Sequence, residues 1–416
     1  MRCARFLLLT LCALPLAAHA ESPPPGRWTK APRVQAELTP AQQQEVDRLE
    51  ALGYLAGTRP ASTASGVLRH DAERSYAGLN LVVSGHAPEA RLLDMEGREV
   101  HRWALSFAEA FPEDPPPAGY VPQVHYWRRA YPLPDGSLLA IFEGLGLIKL
   151  DRASGLVWAS RLPVHHDLVV LPGGEMIALT RAARMIPWIN HARPVLEDFV
   201  SRLGSGGNEI RRTSLIEAFR RSPMSVVFEA TAKTEGDILH TNSLYILDGA
   251  RSAESSAFSR GNVLVSMREL NTLAVVDLET ESVVWAHQSD YYRQHDARPL
   301  PGGNLLLLDN GEFASRVLEM DPVQDRTVWS YTGTDDAPFF TATCGLADRL
   351  PNGNTLITES DPGRALEVTP DGTIVWEYRS PHRVGERDEL VATLFEMRRL
   401  PPDYGRDWLD APGTKP

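Results

Sequence analysis

A short turn phrase that recurs along the chain constrains the fold more than any other feature. It reads Leu133-Pro134-Asp135-Gly136, Leu171-Pro172-Gly173-Gly174, Leu247-Asp248-Gly249, Leu300-Pro301-Gly302-Gly303 and Leu350-Pro351-Asn352-Gly353. In each, glycine supplies the positive φ of a tight turn, and proline, where present, presets its own φ. Most of these turns precede a short apolar run, such as Leu138-Leu139-Ala140, Leu305 to Leu308 or Thr355-Leu356-Ile357. A second phrase then ends in tryptophan: Val157-Trp158, Val283-Val284-Trp285, Val328-Trp329 and Ile374-Val375-Trp376, with Val100 to Trp103 in the same series. The unit is four short strands joined by tight turns, roughly 40–55 residues long, which is the size of a propeller blade.

Five units follow residue 125. The segment 78–106 supplies a sixth that lacks its opening strand, and Phe395 to Leu400 completes it. Closing the ring in this way removes exposed sheet edges. The expected fold is therefore all-β, a six-bladed β-propeller over residues 76–400, with a tail at 401–416. Residues 21–75 read as a linker carrying one amphipathic helix. Thr39 caps that helix, Pro40 opens it, and Val46, Leu49, Leu52 and Leu55 form its apolar stripe, so a packed strap is expected. The longest unit, from His165, predicts an outer hairpin over 196–214 and a short helix from Ser214 to Arg221, with a loop around Trp188 and His191 over the channel. The tryptophan series reads as packing between blades. His86, His101 and His382 fall at turns or strand edges and are expected to be solvated.

The first twenty residues read as a secretory signal. Arg2 and Arg5 are basic, Phe6 to Ala17 is apolar, and Ala18-His19-Ala20 is a small-x-small cleavage site. A periplasmic or secreted location follows, with no membrane span after signal removal. Without Arg2 and Arg5 the 42 basic residues become 40 against 54 acidic ones, which argues against a general nucleic-acid or anionic-membrane surface. Cys3 and Cys12 leave with the signal, so the mature chain keeps Cys344 alone and forms no internal disulfide.

The repeat also points to a site. Five residues before each turn leucine, the equivalent positions are Arg128, His166, Asn242, His295 and Gly345. Inner strands line a propeller's channel, so equivalent positions form a ring. A polar ring on apolar repeats calls for a reason beyond folding. Alternation along a strand places His165, Asp167 and Asp296 toward the blades and returns His240 to the channel. Asp167 and Asp296 are expected to accept backbone N–H bonds between blades, which leaves neither to orient His295. Arg268 ends an apolar run in the blade that carries His240 and Asn242. Thr343 precedes the last full blade, near the channel.

His165-His166-Asp167, His240-Thr241-Asn242-Ser243, the run ending in Arg268, Gln294-His295-Asp296-Ala297 and Asp309-Asn310-Gly311 together resemble the arylsulfotransferases, over roughly residues 78–400. The resemblance implies a periplasmic six-bladed propeller that uses no nucleotide donor. It implies transfer of a sulfuryl group from an aryl sulfate to a phenol through a sulfohistidine, with two ping-pong steps. On that resemblance His295 is the nucleophile, and His240 and Arg268 join it in catalysis. His166 and Asn242 bind substrate on the same ground; Arg128, from its place in the ring, and Thr343, from its place near the channel, are expected to bind it too, and no metal or cofactor is expected. The chain departs from the family in lacking a disulfide beside the nucleophile. It also lacks an N-terminal β-sandwich used for dimer formation, which leaves the oligomeric state open.

The chemistry asks for such residues. Sulfuryl transfer needs a positioned nucleophile, in-line geometry and donors to the equatorial oxygens. A neutral imidazole serves as the first, and an arginine fork or an amide as the last. Two other readings fit the same ring: a non-catalytic exported propeller that binds a sulfated or phenolic ligand or a partner protein, and a metal-dependent hydrolase or lyase on the three histidines.

Overall fold

The computed structural model describes residues 38–50, 55–116 and 122–409, so the signal-like segment 1–20 lies outside the described residues. Those residues form six sheets that follow one another along the chain, each built on four antiparallel strands; one adds a fifth antiparallel strand and another a short parallel one, Gly236–Asp237, with smaller pairings besides. The inner strands of sheets 2 to 6 are Arg129–Pro132, Val164–Val170, Thr241–Ile246, His295–Pro299 and Leu346–Arg349. Sheet 1 takes its inner strand from the far end of the chain, where Leu394–Leu400 pairs with Leu79–Ser84. The first and last segments thus share one sheet, and the seam leaves no unpaired edge.

The repeated turns build these sheets in one way. Leu133 N donates to Ser137 O and Gly136 N to Leu133 O, and the pattern recurs at Leu171, Leu300 and Leu350. The fourth residue of each, Gly136, Gly174, Gly303 or Gly353, holds φ between +83° and +89°, which a side chain would strain. Three of the tryptophans tie one sheet to the next. Trp103 Nε1 donates to Gly136 O at 3.0 Å, Trp329 Nε1 to Pro370 O at 2.8 Å and Trp376 Nε1 to Met95 O at 3.0 Å.

Between neighbouring inner strands, buried carboxylates do what β-ladders do elsewhere. Leu244 N donates to Asp167 Oδ2 at 3.1 Å, Ala347 N to Asp296 Oδ2 at 3.3 Å and Ala130 N to Glu396 Oε2 at 3.1 Å. This is the role expected for Asp167 and Asp296. The strict alternation expected around them does not hold. His166, His240, Asp296 and Cys344 all have φ of +50° to +55°, and the hairpins of sheets 3, 4 and 5 shift register near their first inner-strand residues. Each bulge turns its neighbours off the period-2 pattern. His165, expected to face its blade, therefore sits with its Nδ1 2.8 Å from His166 Nδ1.

The same bulges turn Asp167 and Asp296 toward Arg129 in the channel. Arg129 Nη1 lies 2.7 Å from Asp167, and Nη2 lies 3.7 Å from Asp296. Sheet 2 carries Arg129 and sheet 5 carries Asp296, three sheets apart in a ring of six, so this side chain spans the channel. Arg298 and Arg398 add pairs with Asp296, Asp348 and Glu396. Since the inner strands run away from their histidine ends, this layer closes the channel beneath them.

The described parts of the extension and of the tail are more ordered than the sequence suggests. Within the expected linker, Gly66–His70 adds a fifth strand to sheet 6, and Arg59–Pro60 pairs with Leu390–Val391. The expected helix forms over Pro40–Glu50 and buries Val46 and Leu49. In the tail, Trp408 is buried against Trp103 and His101, and Tyr404 donates to Leu133 O. His101 is accordingly buried, not solvated. His382 stacks on His86 at 3.5 Å, and burial lowers its pKa to about 3. The outer hairpin (Val195–Leu203 with Glu209–Ser214) and the helix Leu215–Arg220 lie where the sequence places them. No described helix is long and apolar enough to cross a membrane.

Candidate active site

His295 opens the inner strand of sheet 5, and its ring is fixed by two acceptors. Nδ1 lies 2.7 Å from Asn310 Oδ1 and 2.9 Å from Arg293 O. The Asn310 amide is itself oriented, because its Nδ2 donates to Thr341 O at 2.8 Å and Cys344 O at 2.9 Å. Nδ1 therefore carries the proton and Nε2 the lone pair. Nε2 is buried and has no hydrogen-bond partner among the described residues. Burial, and then the Arg268 guanidinium, hold the pKa of His295 well below the usual histidine value, so the imidazole stays neutral. Asp296 takes no part in orienting it, as expected.

His240 is oriented by a carboxylate three residues earlier. Its backbone N–H donates to Asp237 Oδ1 at 3.0 Å, and Nδ1 lies 2.5 Å from Asp237 Oδ2. Burial would raise the Asp237 carboxyl, but the charge and hydrogen bond of His240 bring it down to about 2. The neighbouring Asp198 goes the other way. Burial, and the Asp237 charge beside it, push it up to about 7. Arg268 follows the strand Val263–Met267; its backbone N–H donates to His240 O at 3.1 Å and Nη1 to Glu269 Oε1 at 2.6 Å. Its buried Nε has no hydrogen-bond partner among the described residues.

His166 Nδ1 lies 3.2 Å from Glu143 Oε1, and its ring centroid lies 5.1 Å from that of His240. Burial first, then neighbouring arginines, keep His165 and His166 neutral. Glu143, His165 and His166 bring three metal-ligand atoms within 4.8 Å of one another. Glu143 already carries Arg128 at 3.8 Å and Arg181 at 3.5 Å, so any cation there would meet two guanidiniums.

A cavity of about 540 Å³ opens over this cluster. Of the sequence-predicted residues, His166, His240, Arg268 and Thr343 line it. His295, Asn242 and Arg128 stand behind that lining, each 2 % exposed. Asn242, expected to donate to substrate, donates from Nδ2 to Gln294 O at 2.8 Å and so braces the residue before His295. Arg128 lies over the Phe395 ring, 5.2 Å from its centroid. Sequence reasoning missed Asp237, Glu143, Arg181 and Glu269, and assigned no role to Asn310. Asn310 stands in the Asp-Asn-Gly motif and Asp237 three residues before His240, which were usable signals. Glu143, at the end of an apolar strand, offered none.

A closed ring of sheets, with a pocket of histidines and arginines at one end of the channel, defines a propeller whose channel mouth is its candidate site. The family model described as arylsulfotransferase (ASST) matches residues 129–381, more than half of the chain, and the chain belongs to that family. No curated protein matches the chain at a significant level. Among solved structures it is similar to a Bacteroides caccae protein of unknown function, at 11% identity and a TM-score of 0.50, over 73% of this chain and 94% of that one. It is also similar to a streptogramin B lyase (12% identity, TM-score 0.45, 81% and 93% covered). A third is the β-propeller domain of Myceliophteria thermophila Cps50 (Swd1), at 12% identity and a TM-score of 0.43, over 78% and 90%.

Proposed function

We propose that this protein is an exported sulfotransferase, periplasmic or secreted, that moves a sulfuryl group from an aryl sulfate to a phenol through a sulfohistidine at His295. The observation that carries this is the ring of His295. Its Nδ1 proton is committed to Asn310 and Arg293, while Nε2 is buried and unbonded beside Arg268.

In the first step Nε2 attacks sulfur, the N–S bond forms and the bond from sulfur to the aryl oxygen breaks. The leaving oxygen takes a proton from His240, whose Nδ1 side is held by ionised Asp237. In the second step a phenol oxygen attacks sulfur, the N–S bond breaks, and the phenolic proton returns to His240. Arg268 releases Glu269 and takes the sulfuryl oxygens in its place. That exchange brings substrate from the cavity to His295, which lies behind the lining. A phenol is a good leaving group, so one oriented histidine supplies sufficient acid catalysis.

Without an acceptor, 4-nitrophenyl sulfate should release one equivalent of nitrophenol per chain in a burst and then stop. A steady linear release with no burst would mean hydrolysis, and no release at all would favour a binding propeller.

A further inference from the structure

The N-terminal extension reaches the same cavity from above. Its helix, Pro40–Glu50, packs on the second and third strands of sheet 3. Leu49 lies over Gly236 there, where an added Cβ would stand 3.9 Å from Leu49 Cδ2. The next described piece is tied to the seam between sheets 1 and 6. Thr393 N donates to Ala56 O at 2.7 Å, and Thr393 Oγ1 to Leu55 O at 3.1 Å. Arg59–Pro60 then pairs with Leu390–Val391. Sheets 3 and 6 are three apart in the ring, so the two anchor points lie on opposite sides of the channel mouth.

What the extension contributes there is chemically distinct. Among the residues lining the cavity, the propeller supplies charged and polar side chains and one glycine. Leu49 and Leu55, both from the extension, are the apolar ones. The sulfuryl end of a substrate fits the propeller's lining, but an aromatic ring gains little against ion-paired groups and much against leucine. Leu49 is 1 % exposed and set in place by sheet 3, whereas Leu55 is 63 % exposed and open to a ligand.

We propose that Leu49 and Leu55 form the aryl subsite of this cavity, so that the extension selects substrates by the size of their aromatic body. The proposal rests on the aryl-sulfate reading above. It assigns the anionic group to Arg268 and the aromatic body to the two leucines, which act on binding and not on the transfer step.

The test uses the full chain and two probes that cannot transfer a sulfuryl group because their sulfur is bonded to carbon: naphthalene-1-sulfonate and methanesulfonate. Calorimetric titration of the unsubstituted protein, Leu55→Ala and Leu49→Ala should give naphthalenesulfonate affinities about three- to tenfold weaker in each variant. Methanesulfonate affinity should stay within about twofold. Leu55→Ala removes no packing from the core, so it remains informative if Leu49→Ala loosens the helix. Equal naphthalenesulfonate affinity in the unsubstituted protein and Leu55→Ala would overturn the subsite while leaving the aryl-sulfate reading intact. No affinity of the unsubstituted protein for naphthalenesulfonate would overturn both.

Discussion

Replacing Asn310 by alanine separates the orientation of the nucleophile from the binding of substrate. Asn310 accepts from His295 Nδ1 and spends its amide hydrogens on Thr341 O and Cys344 O. Its loss leaves Nδ1 with Arg293 O alone and frees the ring to turn or to move its proton to Nε2, where it blocks attack. One such hydrogen bond is worth about 1 kcal/mol, or roughly fivefold in the population of the reactive tautomer. With the lost alignment added, the first step should slow about 10- to 50-fold. Two buried carbonyls also lose their donors, at about 1–3 kcal/mol each, so the folded state should weaken by about 3 kcal/mol. Stopped-flow release of nitrophenol from saturating 4-nitrophenyl sulfate measures the step, and circular dichroism at the assay temperature checks folding. Asn310 does not line the cavity, so the donor KM should move less than about threefold. A folded Asn310→Ala chain with a burst rate within twofold of the unsubstituted protein would refute the argument, as would a ¹⁵N spectrum that places the His295 proton on Nε2 before substitution.

Asp237→Asn should cost most where the leaving group is poor. The burst from phenyl sulfate should fall about 100-fold and that from 4-nitrophenyl sulfate far less, and equal losses would contradict acid catalysis through His240. Arg129→Met leaves Asp167 and Asp296 buried without their shared cation and should cost about 3–5 kcal/mol in urea unfolding. Stability should fall in acid for a countable reason. His165, His166, His295 and the half-buried His382 are neutral in the folded chain well below pH 6.5 but take protons when unfolded, so stability is full above that pH and declines beneath it. Asp198, raised to about 7, binds its proton in the folded chain and offsets one of the four. The net slope is roughly 3–4 kcal/mol per pH unit below pH 6.5, and a urea midpoint unchanged between pH 7.5 and 5 would contradict it.

The ring was legible because a propeller writes its geometry into turns. A Leu-Pro-x-Gly phrase needs its glycine at one positive φ, and Trp103, Trp329 and Trp376 each bond to the next sheet's turn. The closing strand near Phe395 was legible for the same reason, as the piece missing from the first unit. The channel was only partly legible. Counting back from each turn found His166 and His295, but alternation failed at His166, His240 and Asp296, where left-handed residues bulge the strands. No single-sequence pattern marks a bulge when the residue is histidine or aspartate and not glycine. Partners brought from other sheets, such as Glu143 and Arg181 around His166, are set by the closure of the ring and leave no local trace. The extension reads as a linker for a similar reason. Short strands such as Gly66–His70 take their stability from the sheet they join.

The central claim is a covalent bond between sulfur and one histidine nitrogen. Intact-protein mass spectrometry after incubation with 4-nitrophenyl sulfate, followed by fragmentation of the peptide containing Gln294-His295-Asp296, tests it most directly. The account predicts a gain of one SO₃ group located on His295, lost when a phenol is added and absent in His295→Ala. A gain located on another residue, or nitrophenol turnover undiminished in His295→Ala, would contradict it.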